Sequence, residues 1–330
     1  MLTLASEYSK NHVVDIFWDD PTIKAPLSRF LKIDLIKTNF VQNIFKLPFF
    51  QKIFSTLGYN FMFVLSDGSV PITFASKNIL HFQVPFKFSK PSLITKIKLK
   101  RYNWIIVNSI FTKKFIDRSF EIDSKVIYPP VDVSSISAGP KEKIILSVGR
   151  FSIHQLHPKK QEILIEVFKE IYKKAPNWKL ILVGQAKKED QKYIRRLRKT
   201  SKGFAIKIIE NAPIEKLRNL YAKSSIYWHA TGFGEDEAMH PERMEHFGIA
   251  TIEASAAGLV PVVINKGGQK ETITHNKNGL LWSSKTQLFE ATLSLINNKH
   301  KMNELAQNAV KNSKRFTIEK FIREYEKIIF

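Results

Sequence analysis

Short apolar runs rich in β-branched and aromatic residues alternate with longer stretches of helical period along almost the whole chain. In the first half, HVVDIFW (12–18), FMFVLS (61–66), NILHFQ (78–83), NWIIVNS (103–109) and KVIYPP (125–130) read as strands. FVQNIFKLPFFQKIFSTLG (40–58) and KPSLITKIKLKRY (90–102) read as helices between them. The second half repeats the order, with strands at 143–149, 178–184, 205–210, 225–230 and 259–265. Its helices fall at 158–174, 189–200, 213–224 and after Gly248. Strands and helices alternating at these lengths imply parallel sheets covered on both faces. The Pro-, Ser- and Gly-rich stretch YPPVDVSSISAGPKEK (128–143) is the natural linker. The fold class is therefore α/β, with two Rossmann-like, doubly wound domains expected at 1–138 and 139–314. Ligands then belong in the cleft at the carboxyl ends of the strands. RFTIEKFIREYEKIIF (315–330) is an amphipathic helix with no strand after it, expected to cross back to the first domain.

The start departs from this grammar. A doubly wound domain normally opens with a strand from the middle of its sheet and a glycine-bearing turn. Here LTLASEY (2–8) reads as the helix that follows such a strand. The first domain is accordingly expected to be incomplete.

Composition narrows the picture. The 330 residues are 44% hydrophobic and 25% charged, the balance of an ordinary globular protein. No uninterrupted apolar run approaches the roughly 20 residues of a membrane-spanning helix, and MLTLASEYSKNH lacks the layout of a secretory signal. The chain has no cysteine, which excludes disulfides and thiolate metal sites and fits the cytoplasm. A net charge of +22 suits a lysine-biased composition or attraction to an anionic partner: a nucleotide-linked substrate, an anionic lipid surface or nucleic acid. Nucleic acid is not expected, because the lysines are scattered and no nucleic-acid motif is recognisable. FKLPFFQKIF (45–54) and FKFSKPSLITKIKLKRY (86–102) interleave Phe with Lys. That arrangement serves either peripheral attachment to an anionic membrane or amphipathic helices whose Phe side packs inward.

The richest stretch for chemistry is PERMEHFGIATIEASAAGLVPVV (241–263). Gly248 falls where a helix should begin, and Glu253 falls in that helix's second turn. Glu245 lies in the loop before it, so the two carboxylates flank one helix N-terminus rather than share a face. Such an end attracts phosphate, and a carboxylate accepts two hydrogen bonds from a vicinal diol. Both glutamates are equally at home as ordinary acidic decoration of a helix start. Three further pieces favour a ligand. SVGR (147–150) ends a strand with Gly149 and Arg150, and Lys159 and Lys160 open the next helix, which makes a good diphosphate clamp. Gly184 ends the following strand, and Gly267 and Gly268 follow another.

In this order the motifs SVGR, KKQEILIEVF, LILVG, ENAPIEKLRNLYAKSSIYWHA, EHFGIATIEASAAGLVPVV, GGQKETI and NGLLW (about 143–283) resemble the nucleotide-binding domain of family-4, or group 1, glycosyltransferases of the GT-B fold. EHFGIATIE matches the family's E-x7-E motif. The resemblance implies metal-independent, cofactor-free transfer of a sugar from a nucleotide-diphosphate donor, with retention, to a glycan or lipid-linked acceptor. It casts Arg150, Lys159 and Glu245 as the catalytic group, the first two neutralising the diphosphate and Glu245 meeting the sugar. Glu253 would hold the ribose, the main chain of Gly248 and Ile249 would approach the phosphates, and Phe247 would line the donor pocket. Ala212 would touch the base, with Gly149, Lys160, Gly184 and His229 completing the donor pocket. The acceptor side departs from the pattern. The opening strand and glycine-rich loop are missing, and Gln83 stands where the family often has a histidine, with His81 two residues earlier. The loop 229–246 is long and holds His229, His240 and His246, and is expected to be a solvated loop that rims the donor pocket without binding metal. A catalytically impaired relative, a basic nucleic-acid binder and another enzyme of this fold remain as alternatives.

Overall fold

The structure, a computed structural model, describes residues 1–31, 33–86 and 90–329. Residues 87–89 of the Phe/Lys-rich segment 86–102 and the last residue of the tail helix lie outside the described residues. The N-terminal lobe runs α1 (Leu2–Tyr8), β1 (Val14–Phe17), α2 (Lys24–Leu31), β2 (Thr38–Val41), α3 (Phe49–Leu57), β3 (Phe61–Ser66), β4 (Lys77–Phe82), α4 (Leu93–Leu99), β5 (Trp104–Val107), α5 (Ile110–Phe120) and β6 (Lys125–Val126). Strands β3 to β6 form a parallel sheet in chain order, while β1 and β2 pair in a separate two-stranded parallel sheet.

One predicted element changes. The stretch 40–58 is not a single helix: its first two residues complete β2, which pairs with β1 over Thr38–Val41. The Asn43 side chain accepts from the Phe45 amide to start a 3-10 turn, and Pro48 is the N-cap of α3. Proline supplies no amide and holds the preceding residue extended, so the chain must leave the turn before a helix can start.

The C-terminal lobe runs β7 (Ile144–Val148), α6 (Gln161–Lys174), β8 (Lys179–Gly184), α7 (Gln191–Ser201), β9 (Ile206–Glu210), α8 (Ile214–Lys223), β10 (Ile226–His229), α9 (Ile249–Ala256), β11 (Val260–Ile264), α10 (Gln269–Thr272), β12 (Leu280–Trp282), α11 (Lys285–Asn297) and α12 (Lys299–Ser313). Its six parallel strands lie in the order β12-β11-β10-β7-β8-β9, so chain order reverses between β7 and β10. Strands such as KLILVG and VPVVI are apolar throughout because both faces are covered. Leu180 and Leu182 point into one core with α6 and α7, and Ile181 and Val183 into the other with α8 and α9.

The last helix, α13 (Ile318–Ile329), returns to the N-terminal lobe. Phe321, Tyr325, Ile328 and Ile329 bury against Leu4, Ile79, Ile106 and Ile127, on the sheet face opposite α4 and α5. Each such side chain contributes about 1.5–3 kcal/mol on burial. Where the chain crosses between lobes, Tyr128, Val131, Phe247, Ile252 and Phe316 form a small core of their own. No helix among the described residues is long and apolar enough to cross a membrane.

Candidate active site

The reversal of strand order opens a crevice at the carboxyl ends of β7 and β10, the position where sheets of this kind bind ligands. Every element bordering it delivers a residue singled out from the sequence. Gly149 and Arg150 follow β7, His229 ends β10, and Gly184 ends β8. Lys160 is the N-cap of α6 in a left-handed conformation (φ 53°), which turns Lys159 back over the strand ends. Tight packing enforces the glycines: a Cβ on Gly184 would lie 1.9 Å from the Gly149 carbonyl oxygen, and one on Gly149 2.7 Å from the Lys159 side chain.

At the centre Glu245 accepts two charge-assisted hydrogen bonds on one oxygen, from Lys159 Nζ at 2.6 Å and His229 Nε2 at 2.9 Å. Lys159 and Glu245 side chains are only 14% and 17% exposed. Burial alone would raise the Glu245 pKa, but Lys159 and the His229 bond outweigh it and hold the carboxyl well below its ordinary range. The His229 pKa is lowered by burial, and its Nδ1 has no partner among the described residues. Lys160 is committed elsewhere, to Glu235 at 2.8 Å, which separates the roles of the two adjacent lysines.

Glu253 is reached from the other side. Gly248, in a positive-φ conformation (φ 102°), is the N-cap of α9, and Glu253 lies in the helix's second turn. Its carboxylate accepts from the Tyr221 hydroxyl at 2.9 Å, and burial pushes its pKa up. The Gly267–Gly268 turn sits behind this edge: the Gly268 amide donates to the Glu245 carbonyl at 2.8 Å. A Cβ on Gly268 would lie 2.3 Å from the His246 carbonyl oxygen, so these glycines let one loop press on the next and fix Glu245. Ala212 lies between β9 and α8, partly buried against the core. Sequence reasoning missed its neighbour Asn211, whose side chain accepts from the Ala186 amide (2.9 Å) and donates to the Ala186 carbonyl (3.1 Å). That pair ties the loops after β8 and β9 together at the cleft edge.

Comparison with known proteins sets this geometry in context. Residues 133–315, more than half of the chain, match the family described as glycosyl transferases group 1. The chain belongs to that family. A "GDP-Man:Man(3)GlcNAc(2)-PP-Dol alpha-1,2-mannosyltransferase" of Dictyostelium discoideum is 28% identical over 245 residues, 68% of this chain and 46% of that protein. A "Probable sucrose-phosphate synthase" of Thermosipho melanesiensis is 27% identical over 268 residues, 77% of this chain and 60% of that protein. The chain thus spans about half the length of the curated relatives it matches. In structure it is similar to Anabaena Alr3699/HepE, crystallised with UDP and glucose, at a TM-score of 0.71 and 18% identity, covering 99% of this chain and 94% of that one. That likeness establishes the GT-B fold.

Several features of this group 1 chain differ from expectation. The Phe247 side chain does not line the donor crevice. It is buried between Tyr128 and Phe316, with ring centroids at 5.6 and 5.2 Å, because an apolar ring gains more in the core between the lobes. His81 does not face the acceptor side: its Nδ1 bonds the Tyr325 hydroxyl at 2.8 Å beneath α13, and burial lowers its pKa to about 3. Gln83, just past β4, is exposed and its main chain approaches His246 across the cleft. The loop 229–246 is less solvated than expected, with Thr231, Pro241, Met244 and His246 buried. His240 remains exposed beside Glu242, 3.4 Å away. Among the described residues no group of three or more His, Cys, Asp and Glu side chains is arranged to hold a metal ion.

Two residues the sequence reading passed over belong to the cleft. His157, just before the lysine pair, lies against His246 with ring centroids 5.0 Å apart, and burial lowers its pKa to about 3. Glu271 spans the lobes, its carboxylate accepting from the Ile110 and Phe111 amides at 2.8 and 2.5 Å at the start of α5. Burial raises its pKa despite these bonds.

Proposed function

We propose that the chain transfers a hexose from a nucleoside-diphosphate sugar to a hydroxyl of a lipid-linked glycan, with retention and without a metal ion. The observation that carries the reading is the buried Lys159–Glu245–His229 cluster at the crevice, with Glu253 across the N-terminus of α9. Lys159 spends one of its three donors on Glu245 and keeps the others for a diphosphate, with Arg150 exposed beside it. Glu245, oriented by both partners, accepts from donor-sugar hydroxyls, and Glu253 accepts from the ribose diol. The orphaned Nδ1 atoms of His157 and His229 support a polar ligand at the same place. Glu245 is held in an ion pair rather than free to attack carbon. The departing diphosphate, neutralised by Arg150 and Lys159, therefore takes the proton of the incoming hydroxyl on the same face.

The acceptor class is that named for the Dictyostelium relative, Man(3)GlcNAc(2)-PP-Dol, and it brings the enzyme to a membrane surface as a peripheral protein. A cysteine-free chain fits the reducing cytoplasmic side. The test is a thermal-shift panel of UDP, GDP, ADP and their sugar conjugates, followed by transfer from the stabilising donor to a lipid-linked oligosaccharide. One nucleotide at about 100 times its Kd should stabilise the fold by about 2.7 kcal/mol. Binding without transfer would point to a catalytically impaired relative. Transfer undiminished in both Lys159→Ala and Glu253→Ala would sink the assignment.

A further inference from the structure

Helix α3 turns its aromatic residues outward. Phe50 and Phe54 are 72% and 74% exposed, with Phe49 and Leu57 beside them. Helix α4 does the same, with Leu93 and Ile94 75% and 66% exposed and Ile97 following. Neither row is an incidental loose end. Each helix is held down on its other side: the Thr56 hydroxyl accepts from the Phe74 amide at 3.1 Å, and Leu99 is buried in the core. The Ile44 turn leading into α3 and the Leu99 end of α4 enter one apolar cluster over a single face of the β3–β6 sheet. The opposite face is closed by α1 and α13. The apolar rows therefore project from the same side of the lobe, away from its core.

The charge around them is one-sided. From Leu35 to Ile116 the chain has twelve Lys and Arg and a single acidic residue, Asp67. Lys96 is paired with Glu121 and Lys46 with Asp19, whereas Lys52, Lys98 and Lys100 have no acidic partner among the described residues. Protruding Phe, Leu and Ile among unneutralised lysines match an anionic bilayer, where rings and aliphatic chains enter the interface and ammonium groups meet headgroup charge. A second copy of the chain would bring the same positive field to the contact, so charge disfavours self-association through this face. Nine and seven residues are far too few to cross a bilayer.

Topology adds an orientation. In a parallel sheet the helix after a strand starts at the strand's carboxyl end, so the α4 start at Ser92 lies on the same edge as Gln83 and the cleft. Leu93 and Ile94 sit at that start. We propose that the outward faces of α3 and α4 are a docking surface for an anionic phospholipid bilayer, seating the cleft mouth beside the membrane so that a lipid-linked acceptor enters from the lipid side. The inference rests on the lipid-linked reading for its purpose but not for its test.

The experiment is co-sedimentation of the full chain with vesicles of phosphatidylcholine alone and of phosphatidylcholine with phosphatidylglycerol in equal parts. The wild type should pellet with the anionic vesicles and stay in solution with the neutral ones. Phe50→Ser with Phe54→Ser should weaken partition by at least about tenfold. Lys52, Lys98 and Lys100 changed to Gln should each cost about fivefold, and added salt should mimic them. Thermal midpoint and nucleotide-induced stabilisation should be unchanged in all these variants, which keeps failure of docking distinct from failure of the donor assignment. The proposal is overturned if the wild type ignores anionic vesicles or if the Phe variant binds them as well as the wild type. It is equally overturned if the same substitutions instead abolish a concentration-dependent dimer.

Discussion

Lys159 and Glu245 offer a test that separates stability from chemistry. Removing the ammonium in Lys159→Ala leaves a carboxylate, 17% exposed, facing its desolvation cost with only His229 to answer it. Breaking a buried pair from one side costs about 3–5 kcal/mol, and the residual exposure argues for the lower end. At roughly 2–4 °C per kcal/mol for a domain of this size, the melting midpoint should fall by about 6–12 °C. In Glu245→Gln, His229 can still donate to the amide oxygen and the lysine can turn toward solvent, so the loss should be about 1 kcal/mol. The double variant has no buried unpaired charge and should recover most of the Lys159→Ala deficit, giving a coupling of about 3 kcal/mol. Donor turnover should be lost in all three. The pH dependence has a definite sign. In the wild type the depressed Glu245 pKa adds stability above the ordinary glutamate value of 4.5, and that stability is lost as pH falls through the lower folded value. The deficit of Lys159→Ala should therefore be full at neutral pH and shrink on acidification. The measurement is thermal unfolding of the four proteins across pH. If the two single losses simply add in the double variant, the two groups do not stabilise each other and the argument fails.

Glu253 should behave in the opposite way. Its pKa is raised by burial, so its ionisation opposes folding as pH rises, and Glu253→Gln should leave stability equal or slightly higher. Nucleoside-diphosphate affinity measured by calorimetry should nevertheless fall about 10–100-fold, from the loss of a charged acceptor; unchanged affinity would remove Glu253 from the donor site. Glu271→Ala deletes the link between the lobes at α5, and small-angle scattering should report a larger radius of gyration without ligand. An unchanged scattering profile would show that the link does not hold the cleft. Gly184→Ala forces a Cβ onto the Gly149 carbonyl and should destabilise by about 1–3 kcal/mol or more, read by denaturant unfolding.

The C-terminal lobe was the legible half because its signals are local. Strand runs such as KLILVG end at a glycine, and Glu245, Gly248 and Glu253 lie within nine residues of one helix start. The N-terminal lobe was harder because its deciding facts are contacts. The Thr38–Val41 strand is recognisable only through its pairing with Val14–Phe17. Period alone places a Phe/Lys stripe on one helix side without saying which side meets the core. On an alternating strand His81 reads either as a packed histidine or as an acceptor-side residue, and the contact that decides, with Tyr325, is 244 positions away. Glu271 carries no sequence signal beyond its place in GGQKETI, since its partners are 160 and 161 positions distant. Phe247 was assigned by its place in a motif, which orders the main chain but does not dictate where a side chain points.

The return of α13 has a mechanical consequence. The lobes are joined covalently twice, once through residues 128–143 and again where Phe316 leads into α13, and the Val131 amide bonds the Phe316 carbonyl at 2.8 Å between these crossings. Two adjacent tethers forbid free swivelling and leave a rotation about the line through them, like a door on a pair of pins. Phe247 is packed into those pins, one residue ahead of the glycine that starts the donor helix. On the function proposed above, a diphosphate at that helix bears directly on the hinge, so nucleotide binding and rotation of the lobes are expected to be coupled.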